Sequence, residues 1–508
     1  MRASGYCLCV LIVALSSAAC AQQSAPTQLL PNAAQTDFLR RFENLQREAP
    51  DIQSAPVRSF NEDSAYFKMW SESGRIDQPL QAYSRVLVLL NPALTPNEIE
   101  EKINEYRLDV ISAEPAIGLL TVNVSRLREA RQLGSFPLDL DSGQSDVSTS
   151  IDELAKDPAF ISVVPDTVLT PFQFKSSVVP SQNLQFTVSA GEVTDWGIND
   201  AKIGDAWAIL RGQEFKEGII DVGFANHEDL SVVSGLPQQA LPVDSHGNHV
   251  AGIMCGQHNN KGIKGVLPNC TAVIATGSFI LNTIDPIESR GTVRWHTLFS
   301  ELVATVLDFI DNNPDVKNIN LSLGYNWVPN FNIDPVDGQH SEIRDSIRNQ
   351  GRIFLSILAL AKTRDIAIMS AAGNDSSNLS NPTLAKWSSP FNWATLAMKG
   401  RDGWSNGLVV EAHDKNGKRA KFSNVGGDIS APGVDIYSAT SGGTSSYGTM
   451  SGTSMASPYV AASLALLRKV RPELNLEQAI VCLVSSPGMT DSGTPKLDLM
   501  NAIRNCQQ

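Results

Sequence analysis

Towards its C-terminal end the sequence runs Gly452-Thr453-Ser454-Met455-Ala456-Ser457-Pro458 and continues into a small-residue helical pattern from Tyr459 to Lys469. A serine in a glycine-flanked turn that opens a helix sits on exposed backbone beside the positive end of the helix dipole. That environment suits a nucleophile whose attack creates negative charge nearby. A serine nucleophile needs a base. Among the seven histidines, His246 in Asp244-Ser245-His246-Gly247-Asn248-His249-Val250-Ala251-Gly252 lies among small residues at a helix start, which leaves room for a substrate. The base needs a carboxylate to orient it, and Gly218-Ile219-Ile220-Asp221-Val222-Gly223 puts Asp221 just past an apolar strand, where α/β sheets carry their ligand sites. Ser370-Ala371-Ala372-Gly373-Asn374 ends another such strand in Asn374, a neutral amide able to donate to developing charge. Each of the four, taken alone, also reads as a common turn or cap residue. Together, in the order Asp, His, Asn, Ser and each at an element end with small neighbours, they describe a site for nucleophilic acyl transfer.

These segments resemble the subtilisin-like serine peptidases (subtilases), and the likeness runs roughly from Trp196 to Asn501. Gly452 to Pro458 is similar to the family's nucleophile signature, His246 to Gly252 to its base signature and Ala372-Gly373-Asn374 to its oxyanion segment. Lesser matches are Trp196-Gly197, Asp229-Leu230, Gly265-Val266-x-Pro268, Ser322-Leu323-Gly324, Phe422-Ser423-Asn424 and Ala431-Pro432-Gly433. The resemblance implies Ser454 as nucleophile, His246 as general base, Asp221 as its orienting carboxylate, and Asn374 as oxyanion donor with the Ser454 backbone N–H. His249 is then a structural histidine on the same helix. The likeness further implies that Ser322, Leu323 and Gly324 form an edge strand pairing with substrate backbone, and that Ala371, Ala372 and Gly373 wall the pocket for the residue before the scissile bond. Two positions depart from the family pattern: Val222 stands where a hydroxyl residue usually follows the Asp, and Asn248 where Thr usually separates the two histidines. The resemblance requires no cofactor for catalysis. The family often carries structural calcium, yet here the loop Asn259 to Lys264 is short and basic. Calcium stays open.

The elements needed to hold such residues are legible. Short apolar runs (Gly218 to Ile220, Ala272 to Thr276, Ile319 to Leu323, Ala367 to Ser370) alternate with helical patterns such as Leu298 to Ile310, which predicts α/β architecture: a parallel sheet with helices on both faces. Before it, Arg85 to Leu90 is strand-like. Thr95-Pro96-Asn97-Glu98 supplies an N-cap, a proline for the first turn and a capping-box glutamate, and Ile99, Ile103 and Tyr106 mark one helical face. With strands at Leu108 to Ser112, Leu119 to Val124 and Phe160 to Val164, and a short helix from Ser150 or Ile151 to Asp157, the order is β-α-β-β-α-β, a small α+β ferredoxin-like unit. The expected division is a signal peptide at 1–21, a polar linker at 22–83, the ferredoxin-like unit at 84–172, an irregular connector at 173–195 and the catalytic domain at 196–508. By resemblance the ferredoxin-like unit is a propeptide that inhibits its own enzyme, and the connector holds the maturation site.

The composition is globular, with 42% hydrophobic and 18% charged residues in 508. A net charge of −13 argues against nucleic-acid partners, which call for a positive field. The apolar run Tyr6 to Leu15, followed by small residues, reads as an export signal too short to span a bilayer. Cleavage after Ala21 gives a secreted or periplasmic protein; a lipoprotein-type cut before Cys20 gives a lipid anchor, and that lipid is the one membrane contact expected. Export favours oxidised thiols, and the four later cysteines fall in two local pairs, so Cys255 with Cys270 and Cys482 with Cys506 is the simplest of three connectivities. The functional expectation is a secreted serine endopeptidase, made as a self-processing zymogen, acting on polypeptides. The alternative is a catalytically silent peptide-binding protein on the same scaffold. An α/β-hydrolase esterase is excluded, because no Gly-x-Ser-x-Gly elbow surrounds Ser454.

Overall fold

The computed structural model describes residues 81–123, 150–171, 186–189, 191–210, 212–236, 245–276, 278–284, 291–325, 327–328, 340–378 and 381–506. The export signal, Cys20 and most of the polar linker lie outside the described residues. In the N-terminal unit, β1 (Gln81–Leu90) leads into α1 (Pro96–Glu105), then β2 (Asp109–Glu114), β3 (Leu119–Asn123), a short helical turn at 150–154 and β4 (Phe160–Pro171). The Thr95 side chain accepts from the Glu98 backbone N–H, and the Glu98 carboxylate accepts from that of Thr95, which closes the helix start as the local sequence predicts. The strands lie in the order β4-β1-β3-β2, every pair antiparallel. Val86, Val88, Ile99, Leu120, Val122, Leu154 and Val163 fill the space between this sheet and its helices.

The chain continues through β5 (Phe186–Ser189), β6 (Glu192–Asp195), β7 (Phe215–Ile220), β8 (Ser231–Ser234), α2 (His246–Cys255), β9 (Gly262–Ile263), β10 (Cys270–Ala275), β11 (Ser278–Ile284), β12 (Gly291–Leu298) and α3 (Phe299–Asn312). It then forms β13 (Asn318–Leu321), β14 (Leu323–Gly324), α4 (Ser341–Thr363), β15 (Ala367–Ala371), α5 (Pro390–Asp402), β16 (Gly407–His413), β17 (Ile429–Pro432), α6 (Thr453–Val470), α7 (Leu476–Val484) and α8 (Leu499–Asn505). Seven of these strands make a parallel sheet in the order β17-β16-β15-β13-β7-β10-β8. Side chains alternate across a strand, so Ile219, Ile274 and Met369 pack on one face with α2, α6, α7 and α8. Their neighbours Ile220, Val273 and Ile368 pack on the other, with α3, α4 and α5. A sheet buried on both faces explains why its strands read as apolar runs rather than as alternating patterns.

The connector departs from expectation. Its second half is a hairpin: β5 pairs antiparallel with β6, and β6 pairs parallel with β9 of the body. Asp195 accepts from the Gly197 and Tyr437 backbone N–H groups and from the Tyr459 hydroxyl. The ordered body therefore begins ahead of Trp196.

The N-terminal unit reaches the body through β4. The last residues of the strand pair with two others in turn: Leu298 and Thr297 of β12 face Val168 and Leu169, while Leu323 and Gly324 of β14 face Pro171 and Thr170.

Candidate active site

Parallel strands deliver their C-terminal ends to one rim of the sheet, and Asp221 follows directly on the last residue of β7. One carboxylate oxygen, Oδ1, accepts from its neighbour's Val222 N–H at 2.7 Å and from His246 Nδ1 at 2.6 Å. Both side chains are buried. His246 is the first residue of α2, and that helix start is fastened to the strand end: Gly247 N–H donates to Val222 O, and Asn248 N–H to Gly223 O. Two of the donors a helix leaves unpaired at its N-terminus are thus satisfied. A Cβ on Gly247 would lie 2.5 Å from Gly223 O, so only glycine permits this approach. At the two departures from the family pattern, the Val222 backbone still serves Asp221, and the Asn248 side-chain oxygen accepts from Ala225 N–H.

His249 is placed for structure. Its Nε2 lies 3.0 Å from Ile436 O and 3.3 Å from Gly448 O. Burial first, and then the neighbouring His246, lower its pKa to about 3, which keeps the ring neutral.

Ser454 is the second residue of α6, buried among residues that pack against α2 and the sheet. A chain of polar groups fixes this turn. Ser457 Oγ donates to Asn320 Oδ1 at 2.7 Å, Asn320 Nδ2 donates to Ser322 Oγ at 3.0 Å, and Ser322 Oγ donates to Ser454 O at 3.5 Å. The edge strand and the turn at Ser454 are thereby locked together.

Asn374 is held from the other side. The backbone N–H and the Oγ1 of Thr453 both donate to its Oδ1, each at 3.0 Å. A backbone N–H can only donate, so the amide oxygen faces Thr453 and its nitrogen is turned away from it. Gly373 supplies the bend before it, at φ 98°, where a Cβ would meet Asn424 Nδ2 at 2.5 Å. Asn424 Nδ2 donates to Ala372 O and Asp375 Oδ2, and Asn392 Nδ2 donates to Ala371 O, so the segment Ala371 to Asp375 is fixed along its length.

The structure therefore joins Asp221 to His246, Thr453 beside Ser454 to Asn374, and Ser454 to Ser322, with Leu323 and Gly324 carrying the paired edge and Ala371, Ala372 and Gly373 leading into Asn374. Thr453 and Asn320 were not singled out in the sequence. Thr453 stood inside the Gly-Thr-Ser run, while Asn320 lies in an apolar strand and acquires its role only through tertiary contact. In the loop of the calcium question, Asp229 accepts from Asn259 Nδ2 and from Ile263 N–H, so both its oxygens face N–H donors rather than a cation. This donor set does not fit calcium. No group of three or more His, Cys, Asp or Glu side chains able to hold a metal occurs among the described residues.

A parallel sheet carrying Asp, His, Asn and Ser on one rim defines a class, and the comparisons identify it. The Subtilase family profile matches residues 212–498. Subtilisin DY of Bacillus licheniformis is 31% identical over 276 residues, 53% of this chain and 81% of its own. Subtilisin NAT of Bacillus subtilis subsp. natto is 30% identical over 270 residues, 51% of this chain and 57% of its own length. The crystal structure of fervidolysin from Fervidobacterium pennivorans, described as a keratinolytic enzyme related to subtilisin, superposes with a TM-score of 0.53 at 18% identity. That match covers 83% of this chain and 61% of fervidolysin. The chain belongs to the subtilase family.

Proposed function

We propose that the protein is an exported serine endopeptidase, made as a zymogen, that cleaves polypeptides through Asp221, His246 and Ser454 with Asn374 as oxyanion donor. The observation that carries the reading is the 2.6 Å bond between Asp221 Oδ1 and His246 Nδ1. A carboxylate accepting there fixes the proton on Nδ1 and reserves Nε2 for taking a proton. Ser454 Oγ attacks the substrate carbonyl and gives its proton to His246. The Asn374 amide N–H and the Ser454 backbone N–H, in the first turn of the helix, bind the oxyanion. His246 then protonates the leaving amine, and water hydrolyses the acyl-enzyme by the reverse order of transfers. Polypeptide substrates pair with Leu323 and Gly324, which makes recognition tolerant of sequence.

The zymogen reading is supported by the antiparallel order β4-β1-β3-β2 of the N-terminal unit and by the insertion of β4 at the edge strand. Export is supported by the leader sequence and by the two cysteine pairs at disulfide distance. No helix among the described residues is long and apolar enough to cross a membrane. A fluorophosphonate reagent tests the centre: it labels wild type on Ser454, and Ser454→Ala or His246→Ala loses both labelling and peptide hydrolysis while retaining the fold by circular dichroism. A folded Ser454→Ala variant with normal activity refutes the mechanism.

A further inference from the structure

Two helices must be set against each other for Ser454 to work with His246: α6 carries the serine at its second position and α2 the histidine at its first. One buried carboxylate, that of Asp195, is bonded towards both. Its Oδ1 accepts from the Tyr459 hydroxyl at 2.9 Å, and Tyr459 lies on α6 beyond Ser454. Its Oδ2 accepts from the Tyr437 backbone N–H at 3.0 Å. Tyr437 belongs to the strand Ile436–Ala439, and its two neighbours there hold α2. Ile436 O lies 3.0 Å from His249 Nε2, and Ser438 Oγ donates to His249 O at 2.7 Å.

We infer that Asp195 is a positioning residue of the peptidase, which sets the helix of Ser454 against the helix of His246. The inference rests on the peptidase reading above and adds to it a group that touches neither substrate nor reacting atoms. Three donors converge on this one carboxylate: the Gly197 N–H, the Tyr437 N–H and the Tyr459 hydroxyl. An ionised carboxylate only accepts, so it takes all three at once. Burial pushes its pKa up to about 6 while the converging donors oppose the rise, so it is charged at mildly alkaline pH. Burial, and then the charge of Asp195, hold the Tyr459 phenol protonated and therefore a donor. A shift of either α6 or the strand Ile436–Ala439 leaves a buried charge short of a partner, which costs more than the loss of an ordinary hydrogen bond.

The segment that bears Asp195 is itself anchored elsewhere. Trp196 Nε1 donates to Val434 O at 3.1 Å. At the far end of the short helix Trp196–Asp200, Asp200 Oδ2 lies 3.0 Å from His413 Nε2, and His413 Nδ1 lies 2.9 Å from Ser430 Oγ. Asp195 is thus a fixed point on the body, from which the two helices take their relative placement. A displacement of about 1 Å between reacting groups costs turnover on the order of 10²-fold, while a residue that only adds stability leaves the turnover of each folded site unchanged.

The full chain is expressed as wild type, Asp195→Asn, Tyr459→Phe, the double variant and Asp200→Ala. Active sites are counted by exhaustive fluorophosphonate labelling, and kcat per labelled site and KM are measured on a peptide at mildly alkaline pH, beside melting by circular dichroism. In Asp195→Asn the amide nitrogen meets a backbone N–H in either orientation, so one donor loses its acceptor. The expected result is a kcat per site lower by roughly 10- to 100-fold with KM unchanged. Tyr459→Phe keeps the ring and loses one bond, for a fall of roughly 3- to 10-fold, and the double variant falls no further than Asp195→Asn. Asp200→Ala loosens the same segment away from α6, and it should melt lower with kcat per site as in wild type. Should Asp195→Asn not fold, Tyr459→Phe decides alone. An unchanged kcat per site in the folded variants at positions 195 and 459 overturns this inference and leaves the peptidase reading standing. So does an Asp200→Ala variant whose kcat per site falls as far as that of Asp195→Asn. A folded wild-type chain that neither labels nor hydrolyses peptide overturns both.

Discussion

An asparagine amide can turn end for end, and only one orientation offers N–H to a developing oxyanion. Thr453 decides the matter for Asn374, because its backbone N–H and its hydroxyl both donate to Oδ1. Replacing Asn374 by Ala should lower kcat on the order of 10²- to 10³-fold, the loss that the matching donor causes in subtilisin, with little change in KM. Thr453→Val keeps the shape and the backbone donor but removes the hydroxyl bond. It should lower kcat by roughly 5- to 30-fold, the equivalent of about 1–2 kcal/mol. Steady-state kinetics on a peptide substrate check both, and an unchanged kcat in Thr453→Val removes the threonine from the positioning role. The four residues proposed for the chemistry were legible because each lies inside a local run of small residues. Asn320 was not, because Ser457, which donates to it, is 137 positions away and nothing near Asn320 marks it.

Elements of the body are also joined covalently. Cys255 at the end of α2 is bonded to Cys270 at the start of β10, and Cys482 in α7 to Cys506 after α8, with Cα separations of 4.8 and 5.3 Å. Each closes a loop of 15 or 24 residues, for which the loop-entropy picture gives about 3 kcal/mol. In a Ser454→Ala background, Cys270→Ala with Cys255→Ala should lower the denaturant midpoint accordingly, and non-reducing peptide maps of the parent should contain these two links and no crossed pair. Strand β7 carries a different feature. Glu217, four residues before Asp221, is buried, and one of its oxygens has no hydrogen-bond partner among the described residues. Burial raises its pKa from 4.5 to about 8. A raised carboxylate pKa means stability that is intact below pH 4.5 and lost as pH rises through 8, at most about 5 kcal/mol. Glu217→Gln should therefore match its parent near pH 5 and melt higher at pH 9, and equal melting points at pH 9 would refute the assignment. The strands of the central sheet were readable as apolar runs. The β5–β6 hairpin was not, since four-residue polar strands take their conformation from pairing with Gly262 and Ile263 rather than from their own sequence.

At the scale of the whole molecule, one strand belongs to two units. Besides its ladders, β4 sends Asp166 into the body, where it is fully buried and accepts from both the backbone N–H and the hydroxyl of Ser300 in the first turn of α3. A helix of the body is thus capped by the N-terminal unit. Thr167 extends the grip through a closed set of bonds with Tyr325 and Gln350, and Ser162 and the backbone oxygen of Ile161 bond to Asn349 and Arg352 of α4. In the zymogen reading proposed above, these bonds and the β4 ladders hold the N-terminal unit to the body after a self-cut. Removing the cap should weaken that hold by about 1–2 kcal/mol, or roughly 5- to 30-fold in affinity. Asp166→Ala should accordingly shorten the lag between appearance of the cut and full peptidase activity, with the final specific activity unchanged because no catalytic group is altered. Following both quantities in one time course separates this from a folding defect, which would lower the final activity instead. A lag equal to that of wild type at equal final activity would mean that the N-terminal unit is held by its backbone ladders alone.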